Sequence, residues 1–226
     1  MATEKLESYK RNAEKRRLSA YYPLSFRTIF FLFLINCLSV ALSTSKVELV
    51  INEGGEQWLL NDGFTFSPIK VLVNDAEYTD CHPSKKCCYN LPTGPNRITL
   101  EFDAGITSSE GMFKARNNIK EIDLSNFDFS SVVNMANMFF DCSGLENITF
   151  RNANTHNVVS MAQIFQGCTS LKSIDLSNVD FYSVFNMYAM FFDCSNLESV
   201  NFGNANTPNL QIAEVMFQDC VNLRFG

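Results

Sequence analysis

Histidine and tryptophan are scarce in this chain, with two and one among 226 residues. The two histidines, His82 and His156, have no nucleophile at the spacing of a local catalytic motif, so no His-based hydrolytic centre is written into the sequence. No cluster of mixed His and Cys recurs at metal-ligand spacing either. Gly-rich phosphate loops and dinucleotide fingerprints are missing, which removes the local signals of nucleotide binding. Positive charge is in deficit, 18 Lys and Arg against 24 Asp and Glu. That deficit lies beyond residue 28 and argues against a nucleic-acid partner. A clean apolar run of about twenty residues, the length of a spanning helix, is also lacking.

What stands in its place is a basic head followed by residues 28–42, fifteen residues without a charge. Seven of the first 28 residues are Lys or Arg, including Lys15-Arg16-Arg17. The fifteen-residue length suits a signal-peptide core, and Ser39-Val40-Ala41 offers the small residues that cleavage requires. Including Leu24 to Phe26 extends the run across Arg27, whose side chain could snorkel, and gives an uncleaved anchor over residues 24–42. Both readings put everything after Ser43 outside the cell. The protein is therefore expected to be secreted, or to be a single-pass type II membrane protein if the segment is retained.

The abundant feature is repetition. Cys142, Cys168, Cys194 and Cys220 stand 26 residues apart, and Phe113, Phe139, Phe165, Phe191 and Phe217 follow the same interval. A fixed period of this length marks a stacked-repeat protein. Ile174-Asp175-Leu176 and its counterparts at Ile122, Ile148 and Val200 alternate as half-buried strands do. Val132, Met135, Phe139 and Cys142 step by three, four and three, which predicts one face of a short helix. The unit starting at Asn137 matches that at Ala189 in 14 of 26 positions but its neighbour at Gln163 in only 7, so the repeats alternate in type with a two-unit period.

The runs IDLSNFDFSSVVNMANMFFDCSGLENITF and IDLSNVDFYSVFNMYAMFFDCSNLESVNF closely resemble the BspA-like leucine-rich-repeat surface proteins, over about residues 98–223. They depart from the ordinary leucine-rich consensus, because Asn178 follows Leu176 by two residues instead of three. The resemblance implies display at a cell surface and work through adhesion or protein contact.

Together these readings predict an α/β solenoid: a leucine-rich-repeat-like stack of short parallel strands and helical or 3₁₀ segments. It would be preceded by a small β-rich cap and an N-terminal hydrophobic helix. The expected organisation is 1–43 as head and signal or anchor, 44–95 as cap, and 96–226 as repeats. Ile98-Thr99-Leu100 would be a degenerate first rung, and the repeats break off at Gly226 where a fifth strand is due.

Candidate sites are few. The outward strand positions Asp123, Ser125, Thr149, Arg151, Asp175, Ser177, Asn201 and Gly203 form the expected interaction face, small, polar and mildly acidic. Cys81, Cys87 and Cys88 lie in a polar loop outside the repeats, where one disulfide from Cys81 is expected in an oxidising compartment. Zinc binding by this loop with His82 is the competing reading. The repeat cysteines read as a buried thiol ladder, with inter-rung disulfides or a metal as the competing readings. Asn147 heads the one glycosylation sequon, Asn147-Ile148-Thr149, which also fits a turn before a strand. Asp123 and Asp175 sit two rungs apart, roughly 10 Å, which approaches the carboxylate separation of an inverting glycosidase but with no pocket in view. Asp128, Asn154, Asp180 and Asn206 suggest calcium, although Asp and Asn are also what turns require. The function expected is non-enzymatic contact with a protein or glycan, with no cofactor. The second expectation is a coat protein self-associating through its C-terminal edge.

Overall fold

The computed structural model describes residues 44–79, 88–103, 105–151 and 153–224. Residues 1–43, which include the expected signal or anchor helix, lie outside the described residues, as do Cys81 and Cys87. Among the described residues no helix is long and apolar enough to cross a membrane.

The strands, in chain order, are β1 (Ser45–Ile51), β2 (Gly55–Trp58), β3 (Lys70–Val73), β4 (Ala76–Glu77), β5 (Cys88–Leu91), β6 (Asn96–Phe102), β7 (Ile119–Asp123), β8 (Asn147–Thr149), β9 (Ser173–Asp175) and β10 (Ser199–Asn201). β1 alternates buried and half-buried along its whole length, with Val47, Leu49 and Ile51 inside. β3 and β4 form a hairpin through Asn74 and Asp75, both at positive φ (51° and 67°), where Asn and Asp are tolerated best.

The expected α/β solenoid does not describe this chain. Among the described residues there is no helical or 3₁₀ segment. The six-stranded sheet is mixed, in the order β4-β3-β6-β1-β7-β8, and β1 pairs antiparallel with both β6 and β7. Among the described residues, strand-to-strand parallel pairing is confined to β7 with β8 and β9 with β10. Ile98-Thr99-Leu100 is likewise no first rung. It is the middle of β6, antiparallel to β1 on one side and β3 on the other.

The helical prediction failed for a physical reason. Asn137 (φ 58°) and Asp141 (φ 55°) are left-handed, as are their counterparts Gln163 and Gly167, Ala189 and Asp193, and Val215 and Asp219. Two left-handed residues four apart cannot lie within a right-handed helix. Between them the chain makes a tight turn, Phe140 N–H to Asn137 C=O at 3.1 Å. Successive three-residue turns return side chains to the inside every three or four positions, which imitates helical spacing.

The freed N–H groups bond to the neighbouring repeat instead. Phe113 N–H donates to Met138 C=O (2.9 Å), Phe139 to Ile164 (2.9 Å), Phe165 to Met190 (3.0 Å) and Phe191 to Met216 (2.8 Å). Single parallel bridges run Ser108–Asn134–Ser160–Asn186–Ile212 along the same side. Inside this ladder the phenylalanine rings stack at 5.7, 5.4, 5.3 and 5.4 Å between centroids, within 13° of parallel.

The strand side is less continuous. β8 is the edge of the six-stranded sheet and β9 the edge of the two-stranded one, so the repeats pair two by two. These pairs coincide with the two-unit period of the sequence. At the seam lies a groove of about 530 Å³ lined by Glu146, Asn147, Ser170, Lys172, Ser173 and Asn196.

Candidate interaction surface

The polar groups of the expected strand-side face are exposed or half-buried and bond to their own backbone. Asp123 Oδ1 accepts from Ser125 N–H at 2.8 Å, Asp175 Oδ1 from Ser177 N–H at 2.9 Å, and Asn201 Oδ1 from Gly203 N–H at 2.9 Å. Asn201 Nδ2 also donates to Asp175 Oδ1 at 3.1 Å. Hydrogen bonds from Ser177, its hydroxyl first and then its N–H, hold the Asp175 carboxyl below the usual range. These are Asx turns that close each strand end. Thr149 and Arg151 stand at the corresponding places of the second repeat; Arg151 is exposed and Thr149 half-buried.

The column of Asp128, Asn154 and Asp180 does the same work one turn later. Asp128 Oδ1 accepts from Ser130 N–H and Asp180 Oδ1 from Tyr182 N–H, both at 2.9 Å, and Asn154 Oδ1 reaches His156 N–H at 3.5 Å. Tyr182 N–H, and after it His156, hold Asp180 below the usual carboxylate range. Turn geometry therefore accounts for the acids that suggested calcium. Among the described residues no group of three His, Cys, Asp or Glu could hold a metal ion.

The repeat thiols are free and point into the stack. Cys142 Sγ donates to Phe113 C=O at 3.0 Å, Cys168 to Phe139 at 3.2 Å, Cys194 to Phe165 at 3.0 Å and Cys220 to Phe191 at 2.9 Å. Burial pushes the Cys142 thiol up to about 12, and Cys168 is raised by the same cause. Cys142 and Cys168 are therefore poor nucleophiles and poor ligands at neutral pH. Arg116 takes the cysteine's place in the first repeat. Its guanidinium stands 5.7 Å over the Trp58 ring and 3.7 Å from Asp62 Oδ1, beneath the preceding sheet region. Cys88 opens β5 as backbone, and Asn147 is exposed at the start of β8.

A different surface emerges on the turn side. Val133, Val159 and Phe185 occupy one column, with Tyr182 and Tyr188 three residues to either side of Phe185. All five are between 36 and 48 % exposed, whereas the neighbouring Val132, Val158 and Val184 are fully buried. Their column is fixed by direct backbone bonds, Val159 N–H to Val133 C=O and Phe185 N–H to Val159 C=O, each at 2.8 Å. Consecutive side chains are thus held about one strand spacing apart, roughly 5 Å. Tyr182 is stacked on His156 at 5.7 Å and 12°, and His156 Nδ1 is 2.9 Å from Asp180 Oδ2. The ring is braced before any partner arrives.

Sequence reasoning passed over this face because Val132 and Val133, or Val158 and Val159, are adjacent apolar residues with no sign of which turns inward. Val132 and Val158 are fully buried, and Val133 and Val159 are not. The signal available was the change from Val to Phe at 185 beside two tyrosines, which adds aromatic bulk to an outer position.

A second concavity of about 290 Å³ lies where the loop from Asn61 to Thr65 meets Ser108, Glu110, Lys114 and Asn137. Its polar groups are partly engaged: Glu110 Oε2 accepts from Asn134 Nδ2 at 2.8 Å, and Lys114 Nζ stands 4.5 Å over the Phe140 ring.

No curated protein and no solved structure matches the chain. A family model described as "Mycoplasma protein of unknown function, DUF285" matches residues 107–224, from the first bridge of the turn ladder to the last described turn. That span is a little over half of the 226 residues, and the chain belongs to this family.

Proposed function

We propose that the chain is a non-enzymatic contact protein of the cell surface, mediating protein–protein or adhesive contact through its turn-side face. The observation that carries this reading is the exposed row Val133, Val159 and Phe185 with Tyr182 and Tyr188, on backbone fixed from repeat to repeat. Tyrosine and other aromatics dominate binding hot spots because they bury much area at small entropic cost. The strand-side positions carry no aromatic side chain and so offer no comparable anchor. Two further observations support a surface role. The repeats resemble BspA-like surface proteins, and the basic head with residues 28–42 favours export of the chain beyond Ser43.

The test is binding of the full chain to a panel of immobilised proteins and glycans. A triple variant, Tyr182→Ser with Phe185→Ser and Tyr188→Ser, should lose at least about tenfold of whatever binding is found. Its circular dichroism should stay unchanged, because all three side chains are substantially exposed. Equal binding by both chains, or no binding to any element of the panel, overturns the proposal.

A further inference from the structure

The turn-side face carries a charge pattern that narrows its partner. Residues 127–136 and their counterparts 153–162, 179–188 and 205–214 contain no lysine or arginine. They do contain Asp128, Asp180 and Glu214, and Glu110 occupies the position before the first of these stretches that Glu214 occupies in the last. Asp128 and Asp180 border the row on the side of Tyr182, through the Asx turns at Ser130 and Tyr182. Glu110 borders it on the other side, held by Asn134 in the bridged column. Of the flanking cations, Arg151 stands two residues before the second stretch and is exposed, and Lys114 stands 4.5 Å over the Phe140 ring.

We infer that this face binds a cationic, apolar polypeptide segment: one whose aliphatic or aromatic side chains cover Val133, Val159 and Phe185 while flanking lysines or arginines meet Asp128, Asp180, Glu110 and Glu214. The inference rests on the contact reading above and gives its partner a chemical class. Desolvating aromatic anchors supplies affinity, and the acidic borders supply steering and exclude anionic partners. An acidic polypeptide would place like charges against both borders of an already carboxylate-rich face, which costs several-fold to many-fold in affinity. Asp180 suits the role because it is about half exposed and ionised, and its bond to His156 fixes its direction.

The experiment uses the full chain and three fluorescein-labelled peptides of equal length: one of alternating lysine and leucine, one of glutamate and leucine, one of lysine and serine. Anisotropy should show the lysine–leucine peptide binding at least about tenfold more tightly than either of the others. Phe185→Ser should weaken it by about tenfold or more, and Asp180→Asn with Glu214→Gln by several-fold. Asp123→Asn, on the strand side, should leave it unchanged. Raising salt from 0.05 to 0.5 M should weaken the lysine–leucine complex as screening shortens. Equal binding of the glutamate–leucine peptide, still lost in Phe185→Ser, overturns the inference and leaves the contact reading intact. Binding of the lysine–leucine peptide that is indifferent to Phe185→Ser in a folded variant overturns both.

Discussion

Replacing Phe165 by alanine should remove about 3–5 kcal/mol of stability. The ring is fully buried, stacked at 5.4 Å on Phe139 and at 5.3 Å on Phe191, and it meets Phe150 edge-on at 6.2 Å. A buried phenylalanine hides about 150–250 Å², worth about 4–6 kcal/mol at 25 cal/mol per Å². The methyl that alanine retains brings this down to the range stated. Phe165→Leu keeps most of the apolar volume and forfeits the ring–ring geometry, so it should cost only about 1–2 kcal/mol. The same alanine substitution at Phe217, which is only partly buried, should cost less than at Phe165. Urea titrations followed by far-ultraviolet circular dichroism measure all three. A cost below about 1 kcal/mol for Phe165→Ala would refute the stacked core, and a leucine variant as damaging as the alanine one would refute the volume argument.

Gly144→Ala should cost at least about 2 kcal/mol, because the added methyl would sit 1.9 Å from the Asn117 carbonyl oxygen of the preceding repeat. A change in urea midpoint within error would contradict the close approach. Val215→Gly should raise stability by up to about 1 kcal/mol, since a β-branched residue at φ 53° is strained and its side chain is 37 % exposed. An unchanged or lower thermal midpoint counts against it. Alkali should act through the thiols. A thiol titrating at 9.0 when unfolded and about 12 when buried binds its proton more tightly in the folded state. Its stabilisation is therefore full below about pH 9 and is lost as pH rises toward 12. Cys142→Ala should flatten the fall in stability over that window, and an unaltered pH profile would show that the thiol does not titrate there. Mass-spectrometric mapping after brief iodoacetamide treatment at pH 8 should find Cys142 and Cys168 unmodified in the folded chain.

The inward columns were legible from residue type alone, since Phe139, Cys142, Leu145 and Ile122 are all buried where the 26-residue period placed them. So were the strands near Ile122, Ile148, Ile174 and Val200, each found to begin a residue or more earlier than the alternation suggests. Turn chemistry at Asn74-Asp75 was legible too. Antiparallel β6 was not, because Ile98-Thr99-Leu100 carries the same alternation as a repeat strand and its partners β1 and β3 are remote in sequence. Nor were the turns in place of a helix. Left-handed positions held by Gln163, Ala189 and Val215 give no compositional warning, as those residues rarely adopt positive φ. The contact face escaped notice because one of two neighbouring valines must be chosen, and only inter-repeat bonding makes the choice.

The seam between β8 and β9 makes the repeats behave like a bound volume opened at one page. Along the spine, Phe139 N–H to Ile164 C=O and the Asn134–Ser160–Asn186 bridges continue unbroken past the seam. On the fore-edge, Thr149 and Ser173 close no bond with each other's strand. What crosses the seam on that side is side-chain contact, such as Ser170 Oγ to Ser143 C=O at 2.6 Å and Phe150 against Phe165 at 6.2 Å. The row of Val133, Val159 and Phe185 lies on the spine side, where its backbone bonds, each 2.8 Å, run across the seam without a break.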